Sequence, residues 1–505
     1  MHIKIFKYLL FVLMFACIFF RAYKILDPDF GWHLKVGETI IKSGIPVSDP
    51  FSYTMATFPF IDHEWLTNVL IYQSFEKIGF LGISLVITLI FLATLVFIFR
   101  RKENYYLTLY LIFAFVGLLF PYFAVRPQVI SWFLFALFIK LLFENNKKQI
   151  NLNRILLVVL SIVWVNLHGS FAILVVLYAI YLFGRTIRLR KFSIADLFLF
   201  FILIFSTFLN PYGTNIWREI FMQMTDSKLR YTIVEWTPLI FRFDWNFILY
   251  FSFFVSFLYK YRKKILLEEI LVSLFLLVQA LMSQRHLPLF VISSIPIFYQ
   301  VFQFFNEEIQ KKKESRLRLK NIAKYLKVFV FVYGLIVLIG MVVDLKTAGQ
   351  KLSYPTDAVN YLNNQKIDGN VLSEYSWGGY LIWKMPSQKV FIDGRMPSWR
   401  WSDNPNNEEA NAMDSYIKIF KTDNYNYYLD KYSIDWIFLS AGRLNGKMSN
   451  SQFISKIETF VCGIWNISKC RESASFVEKI KSDGWREVYR DGVAVIYKRD
   501  IIWDK

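Results

Sequence analysis

The residues of this chain that could do chemistry gather in short motifs. LDPDFGWHL (26–34) holds Asp27, Asp29 and His33 with Trp32 among them, and DHEWL (62–66) holds His63 and Glu64. Arg126 lies in AVRPQ (124–128), His168 in VNLHGSF (165–171), and Arg285 and His286 in SQRHLP (283–288). Carboxylates serve as general bases or bind a divalent ion, whereas guanidinium and imidazole groups stabilise an anion, Arg through its two-pronged fork. Each motif taken singly also reads as a helix cap, a tight turn or an interfacial aromatic anchor, since Pro and Gly mark turns and Trp and Tyr favour the interface. The His63–Glu64 pair lacks the ligand spacing of H-E-x-x-H and reads equally as a salt bridge or turn contact. Together the motifs point to an anion-binding cavity, because ionisable groups near membrane depth are costly and face cavities.

The elements that must position these groups are membrane helices. The chain of 505 residues is 55% hydrophobic, 19% aromatic and 19% charged, with a mean hydropathy of +0.37, too apolar for a soluble surface. The net charge of +19 does not imply a nucleic-acid partner, because Lys and Arg cluster in short loops between apolar runs, where they set topology. Runs of spanning length fall near 6–26, 80–99, 105–124, 128–143, 154–168, 170–184, 194–209, 244–260, 265–283, 287–305 and 325–343, predicting a polytopic α-helical membrane protein with about eleven transmembrane helices. The first is too long for a signal-peptide core and is read as a retained span. Basic clusters at Lys4 and Lys7, Arg100 to Lys102, Lys147 to Arg154, Arg185 to Lys191, Lys260 to Lys264 and Lys311 to Lys327 all fall on one side. That pattern puts the N terminus in the cytoplasm and everything after the last span outside, in a multi-pass plasma-membrane protein. The chemistry-bearing motifs, with LNPYG (209–213) and IVEW (233–236), share the opposite face.

The first loop on that face, 27–79, carries two helical patterns, WHLKVGETIIK and WLTNVLIYQSF, predicted to lie in the interface on either side of GIPVSDPFSYT. Beyond 343 the composition turns polar. PTDAVNYLNNQ, DSYIKIF and NYYLDKY read as helices, NVLSEY, KVFIDGR and IDWIFLS as strands, and WREVYRDGVAVIYKRD as a hairpin turning at Asp491–Gly492. The expected division is thus a transmembrane domain, 1–343, and a C-terminal extracytoplasmic α/β domain, 344–505. Cys462 and Cys470 are the only cysteines outside the apolar spans, and an oxidising compartment would let them pair; Cys17 reads as a packing residue.

Acidic residues just after helix one, two interfacial helices, a large odd number of spans and a C-terminal outer domain resemble the GT-C superfamily of membrane glycosyltransferases. DPDFGWH is similar to the D-P-x-F-x-Y-R pattern of oligosaccharyltransferase catalytic subunits, with Asp27 at the acidic position and His33 at the basic one. YSWGGYLIW (375–383) and the following VFIDGR resemble that family's W-W-D-Y-G-Y segment and strand, but Gly378 stands where its peptide-reading Asp belongs. The resemblance implies an inverting hexosyl- or pentosyltransferase that takes a sugar from a polyprenyl-phosphate donor and gives it to a lipid, glycan or protein acceptor. Asp29 is then the expected base by analogy with single-acid members, with Asp27 its rival and a candidate ligand for Mg²⁺ or Mn²⁺. Arg126, Arg285, His286 and His168 are expected at the donor phosphate, and His33, His63, Glu64, Trp377 and Tyr380 at the substrate. The alternatives are an oligosaccharyltransferase-like enzyme using a diphosphate-linked glycan, a transporter, or a catalytically silent scaffold; the spans, apolar through their centres, speak against a transporter.

Overall fold

In a computed structural model, the described residues are 2–98, 112, 115–143, 150–226, 228–239, 245–310, 332, 335, 339, 354–403, 405, 408–422, 424–444 and 476–500. Part of the span expected at 105–124, most of that at 325–343, the Lys311–Lys327 loop and the Cys462–Cys470 pair lie outside them.

The membrane part consists of α1 (His2–Lys24), α2 (Phe30–Ser43), α3 (Trp65–Ile98), α4 (Gln128–Phe143), α5 (Ile150–Leu167), α6 (Ala172–Leu189), α7 (Ile194–Ser206), α8 (Asn215–Thr225), α9 (Trp245–Tyr261), α10 (Leu267–Met282) and α11 (Leu287–Gln310). Among the described residues four helices are long and apolar enough to cross a bilayer: Trp65–Ile98, Ile150–Leu167, Gly169–Leu189 and Gln284–Phe305. The expected count of about eleven is not reached by that criterion. α4 fills its expected span, 128–143, with only 16 residues, and α10 with 16 and α7 with 13 end inside theirs. The interfacial helix expected at 65–75 and the span expected at 80–99 are two helical segments of α3 that meet at Gly79, whose backbone is non-helical with a φ of 62°, a value that glycine adopts more readily than other residues.

The C-terminal part contains α12 (Thr356–Asn363), β1 (Asn370–Ser373), α13 (Gly378–Lys384), α14 (Ala412–Lys421), α15 (Tyr425–Lys431), β2 (Ile434–Ser440), α16 (Phe476–Ser482), β3 (Trp485–Arg490) and β4 (Ala494–Arg499). Its sheet has the order β1-β2-β4-β3, with β1 and β2 parallel and the other pairs antiparallel. Asp491 closes the β3–β4 hairpin by accepting the backbone N–H groups of Val493 and Ala494 at 2.7 Å, an Asx turn. KVFIDGR is not a strand. Only Val390 makes bridges, to Val371 and to Ser52, after which the chain bends at Gly394 toward the membrane part.

Two apolar cores result. One joins the membrane helices from Ile18 to Val301. The second fills the C-terminal part and draws in Trp32, Val36, Met55, Phe58 and Phe60 from the first loop. That loop is bound to the sheet by backbone bonds between Phe51, Tyr53 and Val390 and by the Thr54 hydroxyl, which donates to the Phe391 carbonyl at 2.6 Å. Arg395 completes the join: it reaches Asp49 at 2.8 Å and grips Asp393 at 2.6 and 2.8 Å, between the rings of Phe51, Phe60 and Trp399.

Candidate active site

A cavity of about 590 Å³ opens where the first loop, the ends of the membrane helices and the segment 374–399 meet. Asp27 ends the chain's passage out of α1, and its carboxylate is fully committed. One oxygen meets the Arg126 guanidinium at 2.7 Å; the other accepts the Asp29 backbone N–H at 3.0 Å. Arg126 also reaches Glu235 at 2.7 Å, so two acids hold one cation in place. Burial opposes charge on Arg126, yet Asp27 and Glu235 outweigh it and push its pKa above the usual guanidinium value. Glu235 is held below the ordinary carboxylate range against the pull of burial, chiefly by Arg126 and Arg285.

Asp29, two residues on, lines the cavity and has no ion pair among the described residues. Burial pushes its carboxyl up to about 7, the charge of Asp27 adds to the push, and Trp32 and Arg126 pull the other way. Three glycines make room for this loop. A Cβ on Gly394 would lie 1.9 Å from Asp29 Oδ1, one on Gly379 2.4 Å from the Pro28 carbonyl, and one on Gly31 2.0 Å from the Gly379 carbonyl. The backbone of 379–394 thus closes directly over DPDFG.

Arg285 stands on the cavity wall over the Trp236 ring, 5.2 Å from its centroid, and makes no ion pair among the described residues. His286 points at the edge of the same indole, 6.3 Å away, behind the wall. Elsewhere in the cavity lies a second cluster. Glu64 is buried, with His168 Nε2 at 3.0 Å, His33 Nδ1 at 3.6 Å and His63 Nε2 at 4.0 Å. Burial would raise its pKa, but the His168 bond and the three imidazoles hold it well below the carboxylate range. Burial keeps His33 and His63 on the neutral side, His63 at about 4. His168 Nδ1 accepts the Ser170 N–H at 3.1 Å, which leaves the ring proton on Nε2, facing Glu64. His33 Nδ1 meets Asn68 Oδ1 at 2.7 Å, and the Asn68 amide donates to Asp62 at 2.8 Å.

The structure therefore brings Asp29, His33, His63, Glu64, Arg126 and Arg285 onto one cavity wall, with Asp27 and His168 immediately behind it. Trp377 and Tyr380 are elsewhere: Trp377 packs on Phe438 and Tyr380 stacks on Tyr354, both within the second core. Glycine, not the flanking aromatics, is what the W-G-G-Y segment presents. Residues the sequence reading left out include Asp62 and Glu219, whose carboxyls burial pushes up to about 7, and Gln128 and Glu235. Among the described residues no group of three acid, His or Cys side chains is placed to hold a metal ion. With both Asp27 oxygens engaged, the wall does not fit the oxygen-rich ligand set that Mg²⁺ or Mn²⁺ requires.

No family model and no curated protein matches the chain. Solved structures do. ArnT from Cupriavidus metallidurans bound to undecaprenyl phosphate superposes with a TM-score of 0.51 at 10% identity, over 99% of this chain and 98% of that one. The Archaeoglobus fulgidus oligosaccharyltransferase tethered to an acceptor peptide with the NVT sequon gives 0.50 at 13%, over 86% and 69%. The chain has the GT-C fold. In this GT-C fold the chain-spanning match takes in the helical part and the C-terminal sheet domain together, including the loop that bears Asp27 and Asp29.

Proposed function

We propose that this GT-C protein transfers a sugar from a polyprenyl-phosphate-linked donor to a hydroxyl of a lipid, glycan or protein acceptor, at the extracytoplasmic face of the plasma membrane. The observation that carries this reading is a carboxyl poised near neutrality, Asp29, sharing one cavity with a guanidinium, Arg285, that feels Glu235 but closes no salt bridge among the described residues. Asp29 Oδ takes the proton of the acceptor hydroxyl as its oxygen bonds to the anomeric carbon. The bond from that carbon to the phosphate oxygen breaks, its electron pair stays on the phosphate, and Arg285 meets the added charge. Asp27 and Arg126 act through each other: the pair fixes the loop and keeps a negative charge beside Asp29. No step runs through a metal ion.

Two observations refine the reading. At Gly378, where an oligosaccharyltransferase has its peptide-reading acid, even a Cβ would lie 2.5 Å from the Ile392 carbonyl oxygen, which speaks against an oligosaccharyltransferase-like peptide acceptor. The cation-rich ends of α5 and α6, with Arg154 and Arg188, lie at the far end of those helices from His168, as an outward-facing site requires. Reporter fusions at Lys313 and Lys505 are expected to give opposite signals; equal signals would reverse the assigned side. With extracted lipid-linked sugars and matched protein levels, Asp29→Asn is expected to abolish transfer while the fold persists, since Asn keeps the size and caps a helix as well as Asp. Wild-type rates in that variant would return DPD to a mere turn.

A further inference from the structure

Buried polar groups in folded proteins are almost all hydrogen-bonded, so those that are not need an explanation. Among the described residues, the cavity wall carries four buried polar atoms without a hydrogen-bond partner: Trp32 Nε1, Arg126 Nε, Gln128 Oε1 and His63 Nδ1. Trp32 and Arg126 are neighbours of the proposed base, whose carboxyl both draw down, the indole N–H of Trp32 facing Asp29 without a full hydrogen bond, and Gln128 lines the same cavity. Trp32 lies one helical turn after Asp29, is 7% exposed, and lies against His33, ring centroids 3.6 Å apart and planes tilted by 36°. Gly379 keeps the space beside it clear: a Cβ there would lie 3.0 Å from Trp32 Cδ1 and 3.4 Å from Asp29 Cα. Gln128 opens α4 two residues after Arg126, whose other nitrogens are taken by Asp27 and Glu235.

The chemistry of these atoms is complementary to a ring bearing several hydroxyls. The indole N–H and the Arg126 N–H want oxygen acceptors; the Gln128 amide oxygen wants a donor, and its NH₂ offers two more hydrogens. Phosphate alone supplies acceptors and no donor, so it leaves Gln128 unsatisfied. We infer that Trp32 and Gln128 form the subsite that reads the hydroxyls of the donor sugar, resting on the transferase reading above and assigning it a specificity-determining pair. An unmatched sugar leaves buried groups unpaired there, which is how such sites reject analogues.

The test uses the full chain in detergent–lipid micelles without acceptor. Binding of bare undecaprenyl phosphate is compared with that of a panel of undecaprenyl-phosphate hexoses and pentoses, and the wild type is expected to hold one sugar-bearing lipid more tightly than the bare one. Trp32→Phe keeps a ring against His33, and Gln128→Met keeps the length. Each is expected to leave bare-lipid affinity within about twofold and to weaken the preferred sugar lipid about tenfold, a ratio that a folding defect would not change selectively. Unaltered preference in both variants, or an equal loss for the bare and the sugar-bearing lipid, overturns the pair as donor-sugar readers. Arg285→Ala separates that failure from failure of the transferase reading: it is expected to weaken both lipids, and a wild type that binds neither lipid, or an Arg285→Ala variant that holds both as tightly as the wild type, overturns the reading itself.

Discussion

Asp29 and Asp27 sit two residues apart in the chain and have opposite tasks because their surroundings differ. A base with a pKa of about 7 is half protonated at neutral pH, so transfer is expected to fall as pH drops below that value, by about tenfold per unit on the acid limb. Asp27→Asn removes the like charge that helps to raise Asp29; the limb is then expected to move to lower pH, and a limb that stays in place would show that Asp29 does not feel Asp27. Glu219 gives a stability test with the same arithmetic. Its pKa rises from 4.5 to about 7 on folding, so the folded state gains stability from the neutral acid below pH 4.5 and loses it as pH climbs through 7. Glu219→Gln, which can still accept the bond from Gln223, is expected to raise Tm more at pH 8 than at pH 5; equal shifts would sink this account. Asp27, Asp29, Arg126 and Arg285 were legible in the sequence because charged residues at the ends of apolar runs stand out. Glu219 was not, since it lies on a short helix without a span signal. Its spacing from Ile216, three residues apart on the buried face, was the one available clue.

At the scale of elements, the site depends on how closely backbone can approach backbone. The segment from Gly378 to Gly394 closes over DPDFG with glycines at each contact, so Gly394→Ala is expected to displace the Asp29 carboxylate and cut transfer at least a hundredfold while membrane insertion and Tm change little. A full-rate Gly394→Ala variant would mean that the loop relaxes freely. The same geometry explains why the sequence misleads here. In W-G-G-Y the aromatic residues look like sugar platforms, but Trp377 and Tyr380 fill the second core, and Gly379 between them makes the contact with the loop. The helical periods of α2, α12, α14 and α15 and the β3–β4 hairpin could be read from the residues alone, because each has its own amphipathic pattern or turn signal. KVFIDGR could not, since its apolar run has a strand's composition and its path is set by residues of the first loop more than three hundred positions earlier.

For the whole molecule, the first loop counts as part of the C-terminal fold: Met55, Phe58 and Phe60 sit in its core, and Arg395 binds Asp49 within it. Residues 344–505 expressed alone are therefore expected not to give a cooperatively folded domain, and a sharp thermal transition from that fragment would contradict this. In the intact protein, Arg395→Ala leaves Asp49 and Asp393 buried without their cation and is expected to destabilise the junction by about 3–5 kcal/mol, read as loss of detergent-resistant folded protein. A sequence shows such long-range joins only as isolated acids and arginines, which is why the interweaving was not legible. The sheet order β1-β2-β4-β3 places the strand nearest the C terminus between two earlier ones. At translation rates of about 5–20 residues per second, Asp29 is made tens of seconds before the glycines that cover it and before the strand that locks their domain. A newborn chain thus presents Asp29 before the residues that close over it have been made.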